Sequence, residues 1–391
     1  MALRIAIVAP YDLARHGGIA SHIRAQGRAL TALGHAVRIF GPASKPLTNG
    51  ETAVAGSTTV TFGGTSSGAA FNPTVFQRVA ALFAAEPFDV VHVHEPLMPL
   101  LPWAAVWAAT APVVATFHVY RETGHRWYPL ARPLLQSIVN RIDARIAVSE
   151  AARRTVEAFF PGHYEIIPNG IETERFQTKQ PRPAAFPASG PVVVCVGRLE
   201  PRKGVNVLIE AMPRVRQVAG AALVLVGDGP ERATLEERAR QLNVRTTIIR
   251  NVGDDALPAF YQHATVVCAP ATSGESFGIV LIEALAARVP VVASRIDGYV
   301  DAVGEDSGVR WAVPGDSGDL ARQLIAQIEH RDSTDETPRV GAKYDWLRIA
   351  GHLTETYNRV TSNEQRVASD EQRAASDERP VTSSGQRVTS N

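Results

Sequence analysis

The 391-residue chain contains two cysteines, Cys195 and Cys268, too few for a disulfide scaffold. Both sit inside apolar runs (VVVCVG and VVCAP), where a free thiol in a reducing compartment behaves as a small apolar side chain. Neither sign of charge is in excess. Lys and Arg number 40 against 39 Asp and Glu, a net charge of +1, so the totals carry no polyanion footprint and no nucleic-acid partner is expected. A clean membrane span is also missing. Leu97–Phe117 has no charged residue, but Pro99, Pro102 and Pro112 break it and its end, Val113–Phe117, is rich in β-branched residues. A buried helix followed by a buried strand is expected there. The opening RIAIVAP, from Arg4, is too brief for the apolar part of a secretory signal, which points to a cytoplasmic protein. Finally, no GxGxxG follows the first strand and no acidic residue closes the second, so a dinucleotide role is disfavoured.

With 45% apolar and 20% charged residues the composition is that of a soluble chain, and its length suggests two domains at ~150 residues each. Short β-branched runs alternate with longer helical patterns. Ile5–Ala9, Ala36–Phe40, Val90–Val93, Val113–Phe117 and Arg145–Val148 read as buried parallel strands, with a helix over Gly18–Leu33. A second series comprises Val192–Val196, Ala222–Val226, Thr247–Ile249, Thr265–Cys268 and Val291–Ala293. Helices are expected at Val205–Gln217, Pro230–Leu242 and Ile279–Ala287. The expected fold class is therefore α/β, two doubly wound Rossmann-like domains facing across a cleft. Their spans are 1–170 and 192–345. Between them 171–191 forms a linker that includes the proline-rich Gln180–Pro191, and a C-terminal helix covers 346–360. Residues 361–391 reuse a polar unit (SNEQRVA, SDEQRAA, SDERPVT) without a single aromatic residue and read as a disordered tail.

Ligands of open parallel sheets bind beyond the strands' carboxyl ends, and the chemistry-bearing segments fall there. His16-Gly17-Gly18 lies between the first strand and a helix, where a glycine lets backbone approach a ligand. In Gly197-Arg198-Leu199-Glu200-Pro201-Arg202-Lys203-Gly204 three cations crowd the loop after the first strand of the second domain, a composition suited to a diphosphate. Ser276-Phe277-Gly278 leads into an apolar helix whose free N–H groups make an anion site. Glu275 precedes that helix and Glu283 lies about one and a half turns inside it. Glu283 sits among Val280, Leu281, Ile282, Ala284 and Leu285, where a carboxylate needs hydrogen-bond donors such as ribose hydroxyls. His92 and His94 share one face of a strand end at a spacing that suits a metal, but no third and fourth ligands stand at suitable spacing. His118 also ends a strand and is a candidate site residue.

These segments together resemble the retaining GT-B glycosyltransferases of family 4, and within it the phosphatidylinositol mannosyltransferases. The resemblance runs from about Arg4 to Tyr357 on APY, HGGIASH, DVVHVHEP, ATFH, IAVSE, IPNGIE, VGRLEPRKG, LVGDGP, APATSGESFGIVLIEALA and VPVVAS. The family's Glu-x7-Glu pair matches Glu275 and Glu283.

The resemblance implies a nucleotide-sugar donor, GDP-linked in preference to UDP-linked, bound mainly by the second domain. Arg198 and Lys203 would neutralise the diphosphate, and the backbone of Phe277, Gly278 and Ile279 would cradle its oxygens. Glu283 would hold the ribose and Glu275 the transferred sugar, with Gly18 approaching the diphosphate and His118 near the reaction centre. Tyr11 and Ser21 are acceptor-side candidates. No cofactor and no metal are expected, since cations and a helix dipole can carry the leaving charge and no DxD pair ends a strand of the second domain. A membrane lipid or lipid-like polyol is the expected acceptor. Through Gly170 there are 14 basic and 10 acidic residues, a charge of +4, against 26 and 29 in the remainder, or −3; that polarity suits peripheral contact with an anionic inner membrane face. Thr74–Ala85 offers only Arg78 as a cation, so a soluble or polysaccharide acceptor is the second reading and a non-catalytic nucleotide-binding protein a minor third.

Overall fold

The computed structural model describes residues 2–15, 18–47, 50–62, 65–70, 72–121, 128–330 and 340–362. His16, Gly17 and the tail beyond Ser362 lie outside the described residues. In chain order the first half runs β1 (Arg4–Val8), α1 (Gly18–Ala32), β2 (Ala36–Pro42), β3 (Thr52–Ala55), a hairpin β4 (Thr58–Phe62) and β5 (Thr65–Ala69), α2 (Val75–Ala85), β6 (Val90–His94), α3 (Leu101–Ala108), β7 (Val113–Phe117), α4 (Tyr128–Val139), β8 (Ala144–Ala147), α5 (Glu150–Glu157) and β9 (Glu165–Ile166). After α6 (Thr173–Gln177) the second half runs β10 (Val192–Val196), α7 (Val205–Ala219), β11 (Ala222–Val226), α8 (Arg232–Gln241), β12 (Thr246–Ile249), α9 (Leu257–Gln262), β13 (Val266–Ala269), α10 (Ile279–Ala286), β14 (Val291–Ser294), α11 (Asp297–Val303), β15 (Arg310–Ala312), α12 (Ser317–Glu329), α13 (Val340–Lys343) and α14 (Trp346–Thr361).

Two parallel sheets result, ordered β3-β2-β1-β6-β7-β8-β9 and β12-β11-β10-β13-β14-β15. The central strands β1, β6, β7, β10, β11, β13 and β14 are almost wholly buried, which is why most of them read as apolar runs, while the outer strands are only partly covered. The charge-free stretch resolves as expected into the buried helix α3 and the fully buried strand β7. In each sheet the strand order reverses beside the first strand, between β1 and β6 and between β10 and β13. Loops leaving adjacent strands in opposite directions open a crevice at such points.

The chain crosses between the two halves twice, and the crossings are stitched together. The Ile171 N–H donates to the Tyr344 carbonyl at 2.7 Å and the Trp346 N–H to the Ile171 carbonyl at 3.0 Å. A Cβ on Gly170 would stand 2.5 Å from the Trp346 ring, so only glycine fits at that turn. Beyond it α14 returns to the first domain and packs its apolar face, including Ile349, Leu353 and Tyr357, into the core with Ile23 and Leu30 of α1. The segment around Phe186 packs its ring against Phe260 of α9, with centroids 5.8 Å apart.

Candidate active site

The loops after β10 and β13 meet because those strands are neighbours. The Thr272 N–H donates to the Arg202 carbonyl at 2.9 Å, and a Cβ on Gly204 would come within 2.0 Å of the Pro270 carbonyl oxygen. The sequence Pro201–Lys203 forms a single 3-10 turn ended by Gly204 at φ +63°. Three cations are thereby carried to the start of α10. A small pocket between the loops is lined by Gly197, Arg198, Lys203, Pro270, Val280 and Tyr299.

Inside that junction the charges form one network. Glu200 is fully buried; its Oε1 accepts from Arg198 Nε at 2.7 Å and its Oε2 stands 3.3 Å from Arg202 Nε. Glu275 is 8% exposed and lies between Arg202, which donates to its Oε1, and Lys203, whose Nζ is 2.7 Å from the same oxygen. Burial alone would raise the Glu275 pKa, but Lys203 and Arg202 outweigh it and hold the carboxyl below its usual range. Three cations against two carboxylates leave this junction with one positive charge in excess. Charges packed this closely in a partly dry site are costly to disturb unless another anion replaces the one removed.

The second part of the junction is backbone. Gly278 caps α10 at φ +73° with no side-chain cap hydrogen bond, so the first N–H groups of the helix lack a side-chain partner. A Cβ on Gly278 would lie 2.3 Å from the Tyr299 ring, and one on Gly298 would lie 1.8 Å from the Glu275 carbonyl oxygen. The Ser276–Gly278 turn is thus clamped onto α11, with Phe277 buried against Tyr344 at 5.5 Å between ring centroids. From the first domain, the Ser149 hydroxyl that caps α5 donates to the Ser276 carbonyl, and the Ala151 N–H reaches Asp301 Oδ2 at 2.7 Å. Ile279 is half-buried at the first turn of α10.

Glu283 is answered by a residue that carries no motif. Tyr261 of α9, fully buried, donates its hydroxyl to Glu283 Oε2 at 2.6 Å. Desolvation still lifts the Glu283 pKa to about 7, against the lowering effect of Tyr261. Ribose hydroxyls are the donors expected for this carboxylate; the protein supplies one donor itself.

In the first domain four histidines gather. His92 on β6 is fully satisfied: Gln26 Nε2 at 3.0 Å and the Tyr357 hydroxyl at 2.6 Å meet its Nδ1, and Thr116 Oγ1 meets its Nε2 at 2.7 Å. His94 Nδ1 is 2.8 Å from His118 Nε2. His22 of α1 packs edge-on against His94 and His118, with centroids 5.4 Å and 4.9 Å away. Burial lowers His92 and His118 to about 3, so both are neutral. Glu95, at φ +48° just past β6, accepts from the backbone N–H groups of His118 and Val119 and orients the end of β7. Burial raises Glu95 to about 7. Among the described residues, His22, His94 and His118 are the set that could hold a metal, with one nitrogen from each lying within 4.8 Å of the others. Of the His92–His94 pair that sequence spacing offers, only His94 belongs to this set; His118 and His22 complete it.

Of the other candidates, Tyr11 is half-buried near Glu95, which together with burial raises its phenol pKa. Ser21 is half-buried in the first turn of α1. Gly18 opens α1, and a Cβ there would meet nothing within 4 Å. The sequence marks Arg202 only as one of the three cations of the turn and His22 only as the last residue of HGGIASH, and it singles out neither Glu200 nor Tyr261. The two thiols are buried, and Cys195 is pushed up to about 12, as an inert thiol should be.

Two Rossmann-like domains, with a cationic turn facing a glycine-started, glutamate-bearing helix, give the chain the architecture of the GT-B glycosyltransferases. The comparisons agree: the family model for glycosyl transferases group 1 matches residues 176–343, and that for glycosyltransferase family 4 matches residues 16–175. The chain is 35% identical to the phosphatidyl-myo-inositol mannosyltransferase of Mycobacterium leprae over 371 residues, 92% of this chain and 98% of that protein. It is 33% identical to the GDP-mannose-dependent alpha-(1-6)-phosphatidylinositol monomannoside mannosyltransferase of Mycobacterium tuberculosis over 369 residues, 87% and 94% of the two chains. The fold of Anabaena Alr3699/HepE, solved in complex with UDP, superposes with a TM-score of 0.71 at 19% identity, covering 92% of this chain and 100% of that one. The chain therefore belongs to glycosyltransferase family 4 and is a glycosyltransferase. No helix among the described residues is long and apolar enough to cross a membrane.

Proposed function

We propose that this glycosyltransferase moves a mannosyl group from GDP-mannose to phosphatidylinositol or a similar membrane polyol, with retention of configuration and without a metal ion. The observation that carries the donor site is the meeting of Arg198, Arg202 and Lys203 with the start of α10, which has no side-chain cap. The choice of mannose and of a lipid acceptor rests on the mannosyltransferase relatives. Breaking the bond between sugar C1 and its phosphate oxygen leaves the electron pair on a diphosphate. Two or three cations and the α10 N–H groups can take up that charge without waiting for water to reorganise. The acceptor hydroxyl then bonds to C1 from the same face and passes its proton to the departing phosphate. A diphosphate draws Lys203 away from Glu275, leaving that carboxylate able to accept from sugar hydroxyls, while Glu283 accepts from the ribose. The enzyme works at the inner membrane face as a peripheral protein, using its positive first domain.

A donor screen by thermal shift with GDP and UDP, followed by turnover of GDP-mannose with phosphatidylinositol vesicles, tests this. Stabilisation by neither nucleotide would remove the donor site. A soluble or polysaccharide acceptor is the second reading. It is favoured by Arg78, the one cation of α2, whose Nη1 is spent on the Val54 carbonyl at 2.9 Å. Liposome co-sedimentation separates the two.

A further inference from the structure

Within the histidine cluster His94 is out of balance. The neighbouring His92 has partners at both ring nitrogens, but His94 is wholly buried, its Nδ1 faces His118 Nε2 at 2.8 Å, and its Nε2 has no hydrogen-bond partner. Two neutral imidazoles can share that short contact in only two ways. If His118 donated from Nε2, His94 would carry its proton on Nε2, leaving a buried N–H unsatisfied. If His94 donates from Nδ1, the atom left over is a bare acceptor. An orphaned buried N–H is the rarer and costlier defect.

We infer that His94 is a positioning residue that donates from Nδ1 to His118 and fixes His118 as the neutral tautomer with its proton on Nδ1. His118 Nε2 is then occupied inside the protein. Its Nδ1, which has no hydrogen bond among the described residues, is the nitrogen left to meet a ligand, as a donor. His118 accordingly offers an N–H to a sugar oxygen and cannot act as a base toward the acceptor. The removal of the acceptor proton falls to the leaving phosphate. The frame around the pair is rigid. His92 stacks on His94 at 4.6 Å and 7°, and is itself held by Tyr357 of α14 and Thr116, while Glu95 holds the His118 backbone.

The catalytic consequence rests on the placement of His118 at the reaction centre under the proposed function; the tautomer does not. Imidazole nitrogen NMR on 15N-labelled full-length protein reads the tautomer, with the His118 signals identified by their loss in His118→Gln. Nδ1 of His118 is expected protonated and Nε2 bare. In His94→Leu the two forms should mix, with kcat lower on the order of tenfold, the worth of one neutral hydrogen bond, and donor KM within about twofold. His94→Asn puts an amide donor close to where Nδ1–H stands and should recover most of kcat and the single tautomer, which a merely structural role would not bring about. A His118 protonated on Nε2 in the parent protein overturns the inference, as does His94→Leu with parental kcat and tautomer. Parental turnover by His118→Ala would instead refute the place given to His118 in the proposed function, while the NMR result still decides the tautomer.

Discussion

Removing one buried oxygen, by Tyr261→Phe, should change how donor binding depends on pH. Glu283 titrates at about 7 in the free protein, raised by desolvation and restrained by the 2.6 Å bond from Tyr261. Ribose hydroxyls donate to a carboxylate, so the donor binds the ionised form, and below its pKa the protein must first lose a proton. At pH 6 the affinity for GDP-mannose should be about tenfold below its plateau, and at pH 8 close to it. Both donor phosphates are esterified, so no ligand ionisation confuses the window. A hydrogen bond to a charged group is worth ~1.5–3 kcal/mol, and 1.36 kcal/mol is tenfold in proton affinity, so Tyr261→Phe should raise the proton affinity of Glu283 roughly ten- to a hundredfold. At pH 7.5 the variant should then bind the donor roughly tenfold more weakly, with the deficit closing as pH rises. Isothermal titration calorimetry in two buffers of different ionisation enthalpy would show the parent releasing most of one proton on binding at pH 6.5. An affinity flat from pH 6 to 8, or a profile unmoved by Tyr261→Phe, refutes the ribose role given to Glu283.

The same ionisation bears on stability. A carboxyl raised from an ordinary 4.5 to about 7 withdraws stability as pH rises between those values. Glu283→Gln should therefore melt higher than the parent at pH 8, by up to ~3 kcal/mol, with little difference at pH 4.5; equal denaturation midpoints at pH 8 would contradict this. Glu275→Ala frees Lys203 and Arg202 for the diphosphate. Transfer should fall ~10²-fold or more while GDP affinity holds or tightens and the fold survives, so a parental rate would take Glu275 out of the site. Gly278→Ala forces a side chain to φ +73° and into Tyr299. A loss of ~2–4 kcal/mol in chemical denaturation is expected, together with loss of nucleotide binding, and unchanged binding would deny that turn its place at the donor. Incubation with a chelator should leave turnover intact; a loss restored by a divalent ion would refute the metal-free reading.

The sheets were legible because most core strands are apolar runs flanked by helices of clear period, so β7, β10, β11 and α7 fall within a residue or two of their expected places. Among the pieces that escaped are strands too short to write a pattern, β9 with two residues and β15 with three, and the β4–β5 hairpin, TTVTF and TSSGA, which pairs only with itself. At the site, local motifs revealed the cationic turn and the glutamate helix because each is one contiguous segment at a strand end. What they could not reveal is the pairing between segments. Glu200 sits two residues from its partner Arg198, yet nothing in GRLEPRKG says that it turns inward instead of toward solvent. Tyr261 and Glu283 lie 22 residues apart on different helices, and the contact exists only because α9 and α10 pack together. His22 joins His94 and His118 from a helix whose N-terminus must lie over the β6 and β7 ends, which follows from the strand order and not from spacing. Charge pairing of this kind also decides what the free enzyme has to give up. Lys203 and Glu275 are partners in the free protein; under the proposed function, recognition of the diphosphate would be an exchange of one anion for another, freeing the carboxylate assigned to the sugar.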